Sequence, residues 1–344
     1  MRAMVLDLVK GTILAFLAGL GTAGNIFVFV NHILMLRGTE KKVVHLILIH
    51  LAFANIIMLL SKGMPRTMAD VGVRNFLDDT SCKIVCYLER VARSLSICTS
   101  GLLTVVQAVT MSPRSSRWRR LRPRSAWLVL SLFPFLWIFS FLTNISLLLY
   151  ITSTSVNTSQ MSESDYCYFR PKNQKVRWII LSSMVLRDAV FQGLTCGPSA
   201  YLVLLLRRHH QHVLHLQSSK FLYKTPTEVR AARSVLLLML CFLFFYWADC
   251  VFALLVNSFL KSNPMLNIRE FLTLGYAILS PFVLIHRDGH VEDCWPSRWE
   301  SRTCRKYLFP ASFKVSKFEI TLTFIVLYVV KTQMRVAHLR QKYK

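Results

Sequence analysis

The sequence predicts an all-α membrane protein: a bundle of seven transmembrane helices with the N-terminus outside the cell and the C-terminus in the cytoplasm. Three observations carry this expectation: seven apolar runs, arginine-rich connections that all fall on one side, and a glycosylation sequon on the other. The 344 residues are 53% hydrophobic, with a mean hydropathy of +0.42. Crossing a hydrocarbon core takes about 20 apolar residues at roughly 1.5 Å each, more than most soluble core helices supply.

The spans read as Gly11–Leu36, Val43–Leu60, Cys82–Met111, Ala126–Tyr150, Trp178–Leu206, Val235–Phe259 and Leu266–Ile285. The first is longer than the apolar core of a signal peptide, about 7–15 residues, so it reads as a retained signal anchor. The third is the weakest by hydropathy, because Lys83, Glu89, Arg90 and Arg93 precede its apolar stretch from Ser94 to Met111.

Orientation follows the basic residues of the short loops. Ser112–Ser125 carries Arg114, Arg117, Arg119, Arg120, Arg122 and Arg124 with no acid, and Arg207–Arg233 carries Arg207, Arg208, Lys220, Lys224, Arg230 and Arg233 against Glu228. By contrast Val71–Ser81 has Arg74 against Asp78 and Asp79. The two basic loops therefore belong in the cytoplasm, and an odd number of spans puts the termini on opposite sides. Ile151–Lys175 then lies outside, where Asn157-Thr158-Ser159 is an acceptor for N-glycosylation at Asn157. A second match, Asn144-Ile145-Ser146, sits inside the fourth run and reads as chance. Residues 1–288 form the seven-span domain, and 289–344 a basic cytoplasmic tail, largely disordered or associated with the membrane surface. Within the tail, Phe318–Val330 is too short to cross again.

A net charge of +25 would suit nucleic acid if it were gathered on a soluble fold. Here Lys and Arg lie between apolar runs, which suits anionic lipid headgroups and excludes a nucleic-acid function. No metal-ligand spacing, phosphate-binding loop, dinucleotide motif or nucleophile arrangement emerges, so neither enzyme activity nor a cofactor is expected. His209, His210, His212 and His215 read as a solvated face of a basic loop rather than a metal site.

Charges inside the spans are another matter, since one at the bilayer centre costs about 2.5–3.5 kcal/mol on insertion scales and usually faces a cavity or a partner. Glu89 and Arg93 lie four apart and can pair, with Arg90 on an adjacent face. Arg187 stands beside Asp188 in the fifth span, and Asp249 lies in the sixth. These six residues either line an outward-facing ligand pocket or form ion pairs that only fix packing, with Glu89 and Arg90 also able to snorkel to the interface. Of the nine cysteines, Cys82 and Cys167 face the oxidising side, with Cys86, one turn below Cys82, as a rival partner. Cys98, Cys196, Cys241 and Cys250 read as packing residues, Cys294 and Cys304 as cytoplasmic thiols open to palmitoylation.

Several segments together resemble the vomeronasal type 1 receptors, a pheromone-receptor branch of the G protein-coupled receptors. They are Gly24-Asn25, the stretch from His50 to Met68 (HLAFANIIMLLSKGMPRTM), Cys82-Lys83 leading into Tyr87-Leu88-Glu89-Arg90-Val91, the stretch from Gln107 to Trp118 (QAVTMSPRSSRW), Leu186-Arg187-Asp188, and Ser280 to Asp288 (SPFVLIHRD). The resemblance implies a multi-pass plasma-membrane receptor for a small volatile or steroid-like pheromone, coupled to a Gi/o-type G protein. It also favours Cys82–Cys167 as the disulfide. By the same analogy Arg117, Arg119 and Arg120 face the G protein, although they serve equally well as topogenic charge. Asp-Arg-Tyr is absent after the third span, as are a proline after Trp247 and the asparagine of Asn-Pro at Ser280-Pro281, so the switch residues of rhodopsin-like receptors do not carry over. The tail after Asp288 is longer than the family pattern and raises a non-signalling remnant as an alternative; the intramembrane charges raise a small transporter as another, though internal repeats are lacking.

Overall fold

The computed structural model describes residues 2–36, 42–70, 77–112, 126–153, 167–169, 173–216, 227–258 and 263–287. Its helices are α1 (Arg2–Met35), α2 (Lys42–Met58), α3 (Met64–Asp70), α4 (Asp79–Met111), α5 (Ala126–Asn144), α6 (Gln174–Leu216), α7 (Thr227–Ser258) and α8 (Asn263–Arg287). Five helical stretches among the described residues are long and apolar enough to cross a membrane, and shorter apolar segments at 234–249 and 271–285 lie within α7 and α8. These make the seven predicted spans, because α2 and α3 form one.

That second span corrects the sequence reading, which ended it at Leu60. A π turn at Leu59–Gly63 joins α2 to α3, and the apolar helix continues to Ala69. Pro65 supplies the reason: it has no N–H for the preceding turn and its ring crowds the carbonyl four residues back, which a widened turn accommodates. Two further boundaries move. α6 runs on to Leu216 and α7 begins at Thr227, so Arg207, Arg208, Arg230, Arg233 and the four histidines continue helices rather than forming a loop. A helix emerging from the bilayer keeps its backbone bonds and has no reason to stop at the interface.

α4 is the axis of the bundle. It packs on α2, α5, α6 and α7, and 78% of its span is buried, against 17% for the span of α5. Its weak hydropathy follows, because the polar side chains of α4 turn to protein while α5 shows Trp127, Phe135 and Leu142 to lipid. Cys196 on α6 is likewise exposed and not the packing residue expected, whereas Cys98 is buried.

Polar side chains tie the spans together. Asn55 Nδ2 donates to Ser280 Oγ at 2.9 Å and to Asn25 Oδ1 at 3.3 Å, and its Oδ1 accepts from Ser96 at 2.8 Å. Asn25 Nδ2 reaches the Ala277 carbonyl at 2.9 Å, so α1, α2, α4 and α8 share one satisfied network. His50 is fixed in a single neutral form. The indole N–H of Trp137 donates to Nε2 at 3.0 Å, and Thr99, whose hydroxyl proton goes to the Leu95 carbonyl, accepts from Nδ1 at 2.9 Å. Gly21 lets α1 meet α8 closely, since an added Cβ would stand 2.9 Å from Ile278 Cα.

At one end of the bundle a short antiparallel hairpin, β1 (Ile151–Ser153) with β2 (Cys167–Phe169), sets Ser153 opposite Cys167. A disulfide from Cys167 to Cys82, with a Cα–Cα distance of 5.8 Å, fastens the hairpin to the first turn of α4. Leu147, Ile151 and Met184 pack around it. Asp78 caps α4, accepting the Ser81 N–H at 3.2 Å.

Candidate functional site

Arg93 and Asp249, separately singled out in the sequence, meet at the centre of the bundle. Arg93 Nη2 donates to Asp249 Oδ2 at 2.6 Å, and Thr273 donates its hydroxyl to Asp249 Oδ1 at 3.1 Å, which joins α4, α7 and α8 through one carboxylate. The guanidinium also lies over the Tyr246 ring, 5.5 Å from its centroid. Arg93 and Asp249 are both more than nine-tenths buried. Neither charge would be stable alone at that depth; together, with the added hydroxyl and ring, each has partners.

Arg93, Ser96, Phe242, Tyr246 and Thr273 line a cavity of ≈ 20 Å³. That is room for about one water, where pockets for small organic ligands run to roughly 300–1,000 Å³. In this arrangement the ion pair closes the core.

The pairing expected between Glu89 and Arg93 does not form. Although the spacing allows it, Arg93 turns to Asp249, which has no cation within a turn of it on α7, and Glu89 contacts the adjacent Arg90 at 3.4 Å instead. Lys62 and Arg93 stay close enough to Glu89 to act on it electrostatically. Arg187 and Asp188 sit on the α5 seam. Arg187 Nε and Nη2 hold Asp188 Oδ1 at 2.8 Å, while Nη1 donates to Thr143 and Asn144 at 3.1 Å each. Asp188 still acts electrostatically on Arg93, so the two clusters are neighbours.

Thr273, Tyr246, Ser96 and Tyr276 complete the site and escaped the sequence reading. Tyr276 shares a 2.7 Å hydrogen bond with Ser100. The available signal was helical spacing: Tyr246 lies three before Asp249, Ser96 three after Arg93, and Tyr276 three after Thr273. Arg117, Arg119, Arg120, Asn157, Cys294, Cys304 and the tail 289–344 lie outside the described residues.

A central helix buried on most sides, a hairpin fastened to its first turn and a closed polar core define a seven-helix membrane bundle of the rhodopsin fold. The crystal structure of squid rhodopsin superposes with a TM-score of 0.67, over 85% of this chain and 86% of that one, at 16% identity. Within that fold, the chain belongs to the vomeronasal organ pheromone receptor family, whose family model matches residues 9–297. Human vomeronasal type-1 receptor 4 is 32% identical over 275 residues, 79% of this chain and 91% of the relative. Zebrafish (Danio rerio) olfactory receptor class A-like protein 1 is 31% identical over 283 residues, 80% and 88% of the two chains. Mouse vomeronasal type-1 receptor 51 is 30% identical over 279 residues, 80% and 87%. Family membership makes the chain a G protein-coupled receptor and a multi-pass protein of the plasma membrane, not an enzyme.

Proposed function

We propose that this receptor detects a small volatile or steroid-like pheromone and signals through a Gi/o-type G protein. The observation that carries the reading is the Arg93–Asp249 ion pair, which holds three spans around a core with space for only one water. A ligand entering there has to separate α4 from α7 or displace the pair, so it binds a second arrangement better than this one, and that difference is the signal. No bond in the ligand is made or broken. The hairpin end faces outside in this reading, supported by the arginine-rich connections and by the sequon at Asn157 between β1 and β2, which carries a glycan. Arg117, Arg119 and Arg120, at the other end, meet the G protein. Arg187, Asp188 and Asp249, the intramembrane charges that raised a transporter, are taken up in ion pairs.

Reconstitution of the full chain in lipid nanodiscs with purified heterotrimers tests the proposal. A member of a volatile and steroid panel is expected to accelerate nucleotide exchange on Gi/o and not on Gs. Exchange on Gs alone would contradict the coupling; no exchange on either, from a monodisperse receptor, would contradict signalling altogether.

A further inference from the structure

We propose that Glu89 selects the ligand by accepting a hydrogen bond from it, so that the preferred molecule is apolar apart from one donor, a hydroxyl or a protonated amine. This rests on the reading of the Arg93–Asp249 core as the ligand site, and adds which chemistry that site takes.

Glu89 is 6% exposed, and its Oε1 is buried without a hydrogen-bond partner. Its contact with Arg90 is a 3.4 Å approach to Nε, beyond the roughly 2.7–2.9 Å of a charge-assisted hydrogen bond. Two other acids inside the spans are occupied: Asp249 accepts on both oxygens, and Asp188 is held twice by Arg187. A buried carboxylate oxygen left open bears its full desolvation cost, which a donor arriving with a ligand recovers.

Placement points the same way. Met58 and Arg93 line the cavity, and one turn toward the hairpin end each helix carries a charge, Lys62 four after Met58 and Glu89 four before Arg93. α2 and α4 run in opposite directions, so both charges sit on the hairpin side of the cavity. A ligand entering from that end passes Glu89 before it reaches the apolar walls formed by Phe242, Phe245 and Leu272. A hydroxyl or ammonium meets an open acceptor there. A ketone or ester of the same shape offers only lone pairs to a carboxylate and is repelled.

Matched pairs of probes test this on the purified full chain, read by the shift in its thermal unfolding midpoint, which needs no G protein. The pairs are 3-hydroxy steroids against their 3-keto forms and long-chain amines against methyl esters of equal length. Wild type is expected to bind the donor member of at least one pair about tenfold or more tightly, in line with sites built around a hydrogen bond. Glu89→Leu should erase that preference. Should Glu89→Leu fail to fold, the near-isosteric Glu89→Gln carries the test, since its amide donor should draw the ketone toward parity. Equal or better binding of the ketone by wild type, or a donor preference that survives both variants, overturns the role of Glu89 and leaves the ligand site standing. Binding of the probes that persists in Arg93→Met and Asp249→Leu with unchanged affinity places them elsewhere and overturns both readings. Failure of every probe to shift the wild-type midpoint also counts against both.

Discussion

Arg187 uses its guanidinium to hold α6 against α5, and the surroundings show what its loss should do. Nη1 reaches Thr143 and Asn144 while Nε and Nη2 grip Asp188. Arg187→Ala would leave Asp188 buried and unpaired, a loss of about 3–5 kcal/mol, visible as a much lower unfolding midpoint; Asp188→Asn with Arg187 intact should cost less. Asn144 is fully buried and its side chain is spent on the Ser140 carbonyl and on Arg187, which gives a physical reason for its sequon to be inert. Asn157→Gln should therefore abolish the glycosidase-sensitive gel shift, and Asn144→Gln should leave it in whatever protein folds. The charged positions of the site were legible because ionisable residues in apolar runs stand out. Their partners were not. Glu89 and Arg93 are correctly spaced on one helix, yet Arg93 takes an acid 156 positions away, because helix packing, not local spacing, decides which acid lies opposite.

The helices themselves were readable from hydropathy, and the errors fall where one rule hides another. The apolar run of the second span ends at Leu60, before Ser61 and Lys62, whereas a π turn carries the helix past them. α4 looked marginal for the opposite reason: its burial against four helices lets it hold polar residues that lipid would reject. Close helix contact gives a paired prediction. Gly21→Ala places a methyl 2.9 Å from the Ile278 backbone and should cost about 1–3 kcal/mol, while Gly19→Ala, with nothing within 4 Å, should be neutral or stabilising by up to about 1 kcal/mol. At the start of α4, the hydrogen bond from Ser81 holds the Asp78 carboxyl below its usual range. A lowered pKa adds stability above the unfolded value, which fades as pH falls through the folded one. The difference in melting between wild type and Asp78→Ala should thus be constant near neutrality and disappear in acid below the ordinary aspartate range.

At the scale of the whole receptor, the Arg93–Asp249 pair with Thr273 joins three of the seven spans at the core, and the magnitudes suit a switch. Moving a two-state equilibrium from 1:99 to 99:1 takes about 5.5 kcal/mol of differential binding, and breaking a buried pair costs about 3–5 kcal/mol. The resting bias is half of that first figure, so the pair alone is of the right size to hold the resting arrangement, and the ligand has to supply the whole of the differential binding that overturns it. The most direct measurement is basal nucleotide exchange on Gi/o by Asp249→Asn and wild type in the same nanodiscs without ligand. Asn keeps the shape and the Thr273 contact but removes the charge that holds Arg93, so the basal rate should rise severalfold above wild type. A basal rate equal to wild type, from a folded variant that still responds to ligand, would contradict the account.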